Sequence, residues 1–433
     1  MSADLKYRVM QGALWNVAGE IVLRGVIVGA SIVTARLLGK EGFGAFGLIQ
    51  STVGVFGAFA GLGLGLTATK YVAEYRVTNK QRTQDMITLS YFGACLAGAL
   101  MALVLIVLAP VITEKLLRSE LQAPLRISSL LLFFATISAT QTGVLSGFEQ
   151  FKKNASANFW SGVIGFPIAV AGAYFWNLNG AVWALAAGAG LNSLLKAFAL
   201  RGYWHYRSVL RWRPEWVILR DFSLPAAASS AIVAPALWVC NAMLIRQPNG
   251  YAEMGLFTAA NQWRTALLLI PGSAASVVLP VLASLAGERH TNHYHRVLIF
   301  SIGASTAVAL LLAAPLLGFS RLIMSSYGPG FETGQSVLIL LIISAVMAAA
   351  NNIIGHALAS AGKMWWAFLL NVSWAVTLIA LAAIFVPPMG ARGLALATVV
   401  AYGAHTAFQV LTVKFMLFTR QESSRLRSAQ STA

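Results

Sequence analysis

The sequence predicts an all-α polytopic membrane protein that crosses the bilayer about twelve times, and three observations lead to this fold class. Charged residues make up 10% of the 433 positions and hydrophobic residues 58%, whereas a soluble domain carries about 25% charged residues. The apolar runs are continuous and do not alternate every second residue, which excludes a transmembrane β-barrel. With the barrel excluded, the α-helix is the structure in which every backbone N–H and C=O inside a bilayer is hydrogen-bonded.

The spans are assigned by length, because a spanning helix needs about 20 predominantly apolar residues. The longest run exceeds what a bilayer requires, and we expect it to tilt or to break near Pro271 and Pro280. We interpret the first run as a retained span, because it holds two charges and no small-residue cleavage site. The expected spans are 12–36, 42–68, 86–111, 124–147, 155–176, 179–200, 220–245, 252–284, 297–319, 333–360, 364–386 and 390–417.

The chain contains an internal repeat. The segment 42–48, GFGAFGL, opens the second span, and the segment 250–256, GYAEMGL, opens the eighth. Ala-Pro pairs end the third and ninth spans, and Gly-Ala pairs open the sixth and twelfth. Since the repeat covers six spans, both halves share one orientation, as in repeats related by an axis along the membrane normal. The expected architecture is two six-helix lobes around a central cavity: an N-terminal lobe at 1–200, a cytoplasmic linker at 201–219, a C-terminal lobe at 220–417 and a cytoplasmic tail at 418–433.

The basic residues predict the orientation of the chain. A formal charge of +17 would indicate nucleic-acid binding in a soluble protein, but here the basic residues lie in loops between apolar runs, so we expect no nucleic-acid partner. Of the 31 Lys and Arg residues, 21 fall on the side of the two termini, Lys196 among them, and 8 on the other. The positive-inside rule then predicts an inner-membrane protein with both termini in the cytoplasm.

The motifs of soluble enzymes and ATPases do not stand out in this sequence. Gly61 to Gly65 form a Gly-rich stretch without the Lys-Ser/Thr of a P-loop, so close helix packing is the better interpretation. Cys95 and Cys240 lie inside apolar runs without metal-ligand spacing and are interpreted as packing residues. We expect no cofactor, no metal and no enzymatic activity, and a driving force from an ion gradient, the membrane potential or the substrate gradient.

The ionisable residues at membrane depth are the candidate functional residues, because a charge there costs at least about 2.5–3.5 kcal/mol and usually faces the protein interior or a wet cavity. Asn16, Glu20 and Arg24 recur every four residues and share one face of the first span. Either Glu20 and Arg24 neutralise each other, or they line a cavity in which Arg24 binds an anion and Glu20 carries a proton.

Three later spans carry comparable groups. In the eighth span, Arg264 and Asn261 are candidates for the same cavity, the alternative for Arg264 being a pairing with carbonyl groups. In the tenth, Asn352 is a candidate binding residue, and His356 either couples ions or makes an interhelical hydrogen bond. Pro225 and Pro235 should bend the seventh span as a hinge or a static kink. Structural roles are favoured for the polar residues of two other spans, Thr136, Ser138, Thr140, Gln141 and Thr142 in the fourth and Tyr402, His405 and Gln409 in the twelfth.

Between the first two spans, the passage ARLLGKEGFGAFGL at 35–48 resembles the bacterial polysaccharide (O-antigen, Wzx-type) flippases of the multidrug/oligosaccharidyl-lipid/polysaccharide (MOP) exporter superfamily. The resemblance implies a MATE-like fold with a cationic cavity. It also implies alternating-access transfer of an undecaprenyl-diphosphate-linked oligosaccharide, an O-antigen or exopolysaccharide repeat unit, to the periplasmic leaflet. The implied partners are that lipid-linked substrate, membrane lipids, a coupled proton or sodium ion and other glycan-assembly membrane proteins.

Two alternatives to a flippase are open at this point. A cation-coupled multidrug exporter of the same superfamily typically uses intramembrane acids, whereas Glu20 is the one acid placed well inside a span here. A membrane polymerase or ligase of lipid-linked glycans typically has a long periplasmic loop, whereas the longest expected here is about 112–123.

Overall fold

The computed structural model describes residues 3–61, 63–204, 232–273, 275, 278, 282, 291–360 and 364–431. Side chains are described from Arg24 to Lys414 within these ranges, except at 291–292, 359 and 364. Helices form nearly all of the described chain. They are α1 (Ala3–Gly61), α2 (Leu64–Thr78), α3 (Lys80–Lys115), α4 (Gln122–Gly147), α5 (Phe151–Leu200), α6 (Val233–Ile245), α7 (Gly250–Leu267), α8 (Thr291–Gly318), α9 (Ser320–Ser325), α10 (Gln335–Ser360) and α11 (Met364–Ser431), with single 3₁₀ turns at Ser119–Leu121 and Phe331–Gly334.

Seven of the helices in the described part of the chain are long and apolar enough to cross a membrane. Three of them are interrupted by non-helical backbone, α1 at Gly39, α5 at Trp176 and Asn177, and α11 at Gly390. Each interruption lies at a boundary between two predicted spans. The prediction of an all-α polytopic protein is confirmed, while the number twelve stays a prediction because spans seven and eight fall partly outside the described residues.

Glycine and proline set the local breaks. Gly39 has φ 68° and ψ 179°, a conformation that is open to glycine and costly for other residues. The predicted second span is shorter than expected, because α1 ends at Gly61 and Gly63 adopts φ 66° before α2 begins. The run 252–284 is interrupted by a turn at Leu268, as expected near Pro271, which has no N–H to donate to the carbonyl of Leu267.

The contacts of the chain define two compact units. The first comprises Met1–Ala259 with Met324–Gly334, and the second comprises Ala260–Ile323 with Gln335–Ala433. In the first unit α5 packs on α1 and α4, and in the second α10 packs on α8 and α11. The predicted lobe limits stay a prediction, because most of the linker 201–219 lies outside the described residues.

The two repeated segments of the sequence pack against each other inside the first unit. A Cβ atom on Gly44 would overlap the backbone carbonyl of Tyr251, and one on Gly255 would overlap the carbonyl of Lys40. A Cβ atom on Gly47 would overlap the side chain of Thr258. The backbones of α1 after its break and of α7 therefore approach closely at these glycines, as in other helix crossings built on small residues.

Gly65 and Gly143 form a second close approach, between α2 and α4. A Cβ atom on Gly143 would overlap the carbonyl group of Gly65. The interpretation of the Gly-rich stretch as a packing feature is confirmed at Gly65, whereas Gly63 supplies the break between two helices.

We predict that Gly44→Ala destabilises the protein by about 1–3 kcal/mol, because the added methyl group forces the two helices apart. Gly54→Ala on the same helix is the matched control, since a Cβ atom there meets nothing within 4 Å. Alanine favours the helix over glycine at both positions. Thermal unfolding in detergent checks the prediction, and equal stability of the two variants would contradict it.

Candidate functional site

Arg264 is the candidate cation whose surroundings the structure describes most fully. Its Nε donates a hydrogen bond to Ser344 Oγ at 3.0 Å, and its guanidinium lies 5.2 Å from the centroid of the Tyr402 ring. Ser344 belongs to α10 and Tyr402 to α11, so two neighbouring helices orient a half-buried guanidinium on α7. Its two terminal nitrogens make no hydrogen bond with the described residues, and they are the donors that bind a phosphate in bidentate geometry.

Arg24 lies in α1 and is half-buried. No hydrogen bond or ion pair joins it to another side chain that the structure describes. The side chains of Asn16 and Glu20 lie outside the described residues, so the predicted shared face and the predicted Glu20–Arg24 pair are still predictions. Arg24 belongs to the first compact unit and Arg264 to the second.

The polar residues of α10 divide between packing and exposure. Asn351 is buried; its Oδ1 accepts a hydrogen bond from Thr406 Oγ1 at 2.9 Å, and its Nδ2 donates to the Tyr402 carbonyl at 3.5 Å. Asn352, the predicted binding residue, is exposed. His356 is half-buried and makes no hydrogen bond within the described part of the chain. Asn351 therefore ties α10 to α11, and Asn352 is left open to a ligand or to lipid.

The other candidates have local surroundings. Asn261 is half-buried on α7, and its carbonyl accepts a hydrogen bond from Thr265 Oγ1 at 2.8 Å. Pro235 lies in the first turn of α6, where the missing N–H breaks no helical hydrogen bond. Pro225 lies outside the described residues, so the hinge is still a prediction.

The structural roles predicted for the hydroxyl groups of α4 are found in part. Thr136 and Thr142 each donate to the carbonyl four residues earlier, at 2.8 and 2.9 Å. Ser138 Oγ instead donates to Asn192 Oδ1 of α5 at 2.6 Å. In α11, His405 and Gln409 form a hydrogen bond within one helix at 2.9 Å.

The prediction that Lys196 is one of the basic loop residues is wrong, because this residue is only 5% exposed. The Nζ atom donates to Ser138 Oγ at 3.0 Å and to Thr142 Oγ1 at 2.8 Å. Helical side chains lie over the preceding turn, so this ammonium points into the span and not to its nearby end. The i, i+4 pair of Asn192 and Lys196 inside an apolar run was the sequence signal.

The passage at 35–48 makes contacts at the end of α1's first span. Arg36 Nε donates to the Ser326 carbonyl at 2.7 Å, and Phe43 packs on Tyr327 and Phe331 with ring centroids 6.0 and 6.1 Å apart. These contacts hold the loop before α10 against α1. The passage therefore serves the packing of the first unit, together with the glycine crossing.

Solved transporters share this fold. The structure matches the inward-facing conformation of a multidrug resistance MATE family transporter of the MOP superfamily with a TM-score of 0.76, over 95% of this chain and 99% of that chain, at 16% identity. It matches a MOP superfamily transporter from Pyrococcus furiosus with a TM-score of 0.70, over 94% and 95% of the two chains, also at 16% identity. At these identities the likeness shows the fold, which is that of the MOP transporters.

The chain belongs to the family described as polysaccharide biosynthesis protein, whose model matches residues 9–286. It is 24% identical over 426 residues to the EPS I polysaccharide export inner membrane protein EpsE of Ralstonia solanacearum, covering 94% of this chain and 93% of that protein. It is also 24% identical over 429 residues to the lipid III flippase of Escherichia coli K12, covering 95% and 99%.

The family and the fold confirm the resemblance that the sequence showed to the polysaccharide flippases of the MOP superfamily. They also confirm the prediction of a multi-pass membrane protein that belongs to a family of transporters and not of enzymes.

Adjacent asparagines on α10 give a matched pair of variants. We expect Asn351→Ala to lower stability by about 1 kcal/mol, because interhelical hydrogen bonds in membrane proteins are worth about 0.6–2 kcal/mol. We expect Asn352→Ala to leave stability unchanged, because that side chain is exposed. Thermal unfolding in detergent measures both, and a larger loss in Asn352→Ala would show that the assigned roles are reversed.

Proposed function

We propose that this protein flips an undecaprenyl-diphosphate-linked oligosaccharide from the cytoplasmic to the periplasmic leaflet of a bacterial inner membrane by alternating access. The family membership supports this, as do a relative named for polysaccharide export and one named a lipid III flippase. The observation that carries the proposal is the Arg264 guanidinium. Ser344 and Tyr402 orient it, and its terminal nitrogens form no hydrogen bond with a residue that the structure describes.

A diphosphate head group fits this guanidinium. Arginine presents planar donors that match phosphate oxygens, and charge-assisted hydrogen bonds of this kind are about twice as strong as neutral ones. The polar sugars would then occupy the wet cavity while the prenyl tail stays in lipid. The substrate contacts that we assign are Arg24, Arg264, Asn16, Asn261 and Asn352.

The driving force and the orientation are part of the proposal. With both termini cytoplasmic and the cell interior negative, outward movement of a diphosphate is favourable by about 2.3 kcal/mol per charge per 100 mV. Glu20 and His356 are the candidate proton or sodium coupling residues. Pro225 and Pro235 are the candidate hinges, and Pro235 would act at the start of α6 and not by a kink inside it. Membrane lipids and other glycan-assembly membrane proteins are the expected partners.

Removal of the guanidinium tests the binding role. We expect Arg264→Ala to slow leaflet-to-leaflet movement of a labelled undecaprenyl-diphosphate oligosaccharide in proteoliposomes by about 10- to 100-fold, since a charged hydrogen-bonded contact is worth about 1.5–3 kcal/mol. Arg264→Lys keeps the charge without the bidentate geometry, so its rate of movement should lie between those of the wild type and Arg264→Ala. Arg296→Ala, which removes an exposed arginine of the same unit, is the matched control.

The same assay discriminates the alternatives. Unchanged movement in Arg264→Ala would refute the substrate contact. No movement in the wild type under any imposed gradient, combined with efflux of a cationic dye, would assign the protein to multidrug export, the activity in the name of a matched solved structure.

In the predicted division into lobes, α1 belongs to the N-terminal lobe and α6 to the C-terminal lobe, so the proposed alternating access would open the contact between these two helices. Ser51 Oγ accepts a hydrogen bond from Asn241 Nδ2 at 2.9 Å, so the two side chains are near neighbours. In a background of Cys95→Ser and Cys240→Ala, we expect a short thiol cross-linker between Ser51→Cys and Asn241→Cys to stop flipping. Reduction of a cleavable cross-linker should restore it. Full activity of the cross-linked protein would refute an opening at this contact.

A further inference from the structure

A cavity of about 470 Å³ opens at the surface of the first unit, close to the break in α1. It is lined by Arg36 of α1 and by Ser325, Gly328, Pro329 and Glu332. Small-molecule sites in proteins have volumes of about 300–1,000 Å³, so a small ligand fits this cavity. None of these lining residues is among the substrate contacts assigned above.

The loop that lines the cavity holds the side chain of Arg36 in place. Arg36 Nε donates a hydrogen bond to the Ser326 carbonyl at 2.7 Å. The stem of Arg36 packs on Gly328, where an added Cβ atom would lie 3.4 Å from Arg36 Cγ. The guanidinium is exposed, and its two terminal nitrogens make no hydrogen bond with the residues that the structure describes. These nitrogens are the donors that bind a phosphate group in bidentate geometry.

The charges around the cavity have opposite signs. Arg36 and Glu332 both line it, and within the described part of the chain no ion pair joins them. Lys40 adds a second positive charge beside the loop, since its Nζ lies 2.7 Å from the position of a Cβ atom on Gly330. A ligand that matches this pattern carries an anionic group for the arginine and a cationic group for the exposed carboxylate of Glu332.

The position of the cavity in the chain favours a lipid as the ligand. Arg36 ends the first predicted span, and the break at Gly39 follows it. In the predicted arrangement of spans, residues at this boundary lie at the level of the lipid head groups. Leu37 next to Arg36 is exposed, so apolar surface that suits acyl chains adjoins the polar cavity.

We infer that this cavity binds the phosphoethanolamine head group of a phospholipid, with the phosphate on Arg36 and the ammonium on Glu332. This head group carries one negative and one positive charge, which matches the two charged residues that line the cavity. A diphosphate, the head group of the proposed substrate, carries negative charge alone and would be repelled by Glu332. The cavity is therefore a lipid site separate from the assigned substrate contacts.

Two short-chain phospholipids with the same tails test the site. Dioctanoyl phosphatidylethanolamine carries the ammonium, dioctanoyl phosphatidylglycerol does not, and native mass spectrometry of the full chain in detergent measures the affinity for each. We expect the wild type to prefer phosphatidylethanolamine. Arg36→Gln should bind both lipids about tenfold more weakly or worse, because a charged hydrogen-bonded contact is lost. Arg126→Gln, which removes another exposed arginine of the same unit, is the matched control and should keep both affinities.

Glu332→Gln covers the case in which Arg36→Gln does not fold, because the Glu332 side chain is exposed. We expect this variant to bind phosphatidylethanolamine about two- to fivefold more weakly, as an exposed charge pair is lost. Its affinity for phosphatidylglycerol should rise, because the repulsion between two negative charges is removed. The preference between the two lipids should therefore disappear.

Three outcomes would overturn the inference. They are equal lipid binding by the wild type and Arg36→Gln, a lipid preference that Glu332→Gln leaves unchanged, and tighter binding of farnesyl diphosphate than of phosphatidylethanolamine to this cavity. The last would assign the cavity to a diphosphate head group instead. None of these measurements involves transport, so an absence of flipping would refute the proposed function and leave the lipid site standing.

Discussion

Inside a bilayer, every polar group of the chain must find its partner within the protein, because no water is present to replace it. The backbone meets this constraint through helices, which is why the described chain is almost entirely helical. The side chains meet it in three ways. Thr136 and Thr142 bond to their own helix, Asn351 bonds across to a neighbouring helix, and Lys196 donates to two hydroxyl groups of a neighbouring helix.

The same constraint explains the role of the glycines. A bilayer offers no hydrophobic driving force between helices, so they associate through close packing and hydrogen bonds. Gly44 and Gly255 remove the side chains that would keep α1 and α7 apart, and backbone then meets backbone. The crossing joins the two repeated segments of the sequence. The glycines that recur in the two segments are therefore the residues through which these segments contact each other.

Arg264 and Lys196 occupy different chemical surroundings. Arg264 is oriented through one nitrogen and one ring face, and its terminal nitrogens make no hydrogen bond within the described part of the chain. The ammonium of Lys196 donates hydrogen bonds to Ser138 Oγ and Thr142 Oγ1. A guanidinium whose terminal donors are not bonded to the protein can bind an anionic ligand. An ammonium that donates hydrogen bonds to neighbouring side chains instead links two helices.

The sequence by itself determined the class of the protein, because a helix that spans a bilayer requires a long, predominantly apolar run of residues, and such runs are visible in the sequence. It also located the breaks at Gly39 and Gly390, since each lies where one apolar run gives way to the next. Arg264 was found from the sequence because an isolated charge in an apolar run is visible without a fold.

Only the tertiary structure decided what surrounds each polar group. Lys196 lies four residues from the end of an apolar run, where a long side chain usually reaches the interface. Its burial follows from Ser138 and Thr142 on another helix, more than fifty residues away in the chain. Asn351 and Asn352 are adjacent and chemically identical, yet one is buried and the other exposed. The direction in which a helix face points depends on its neighbours, and no local pattern contains that information.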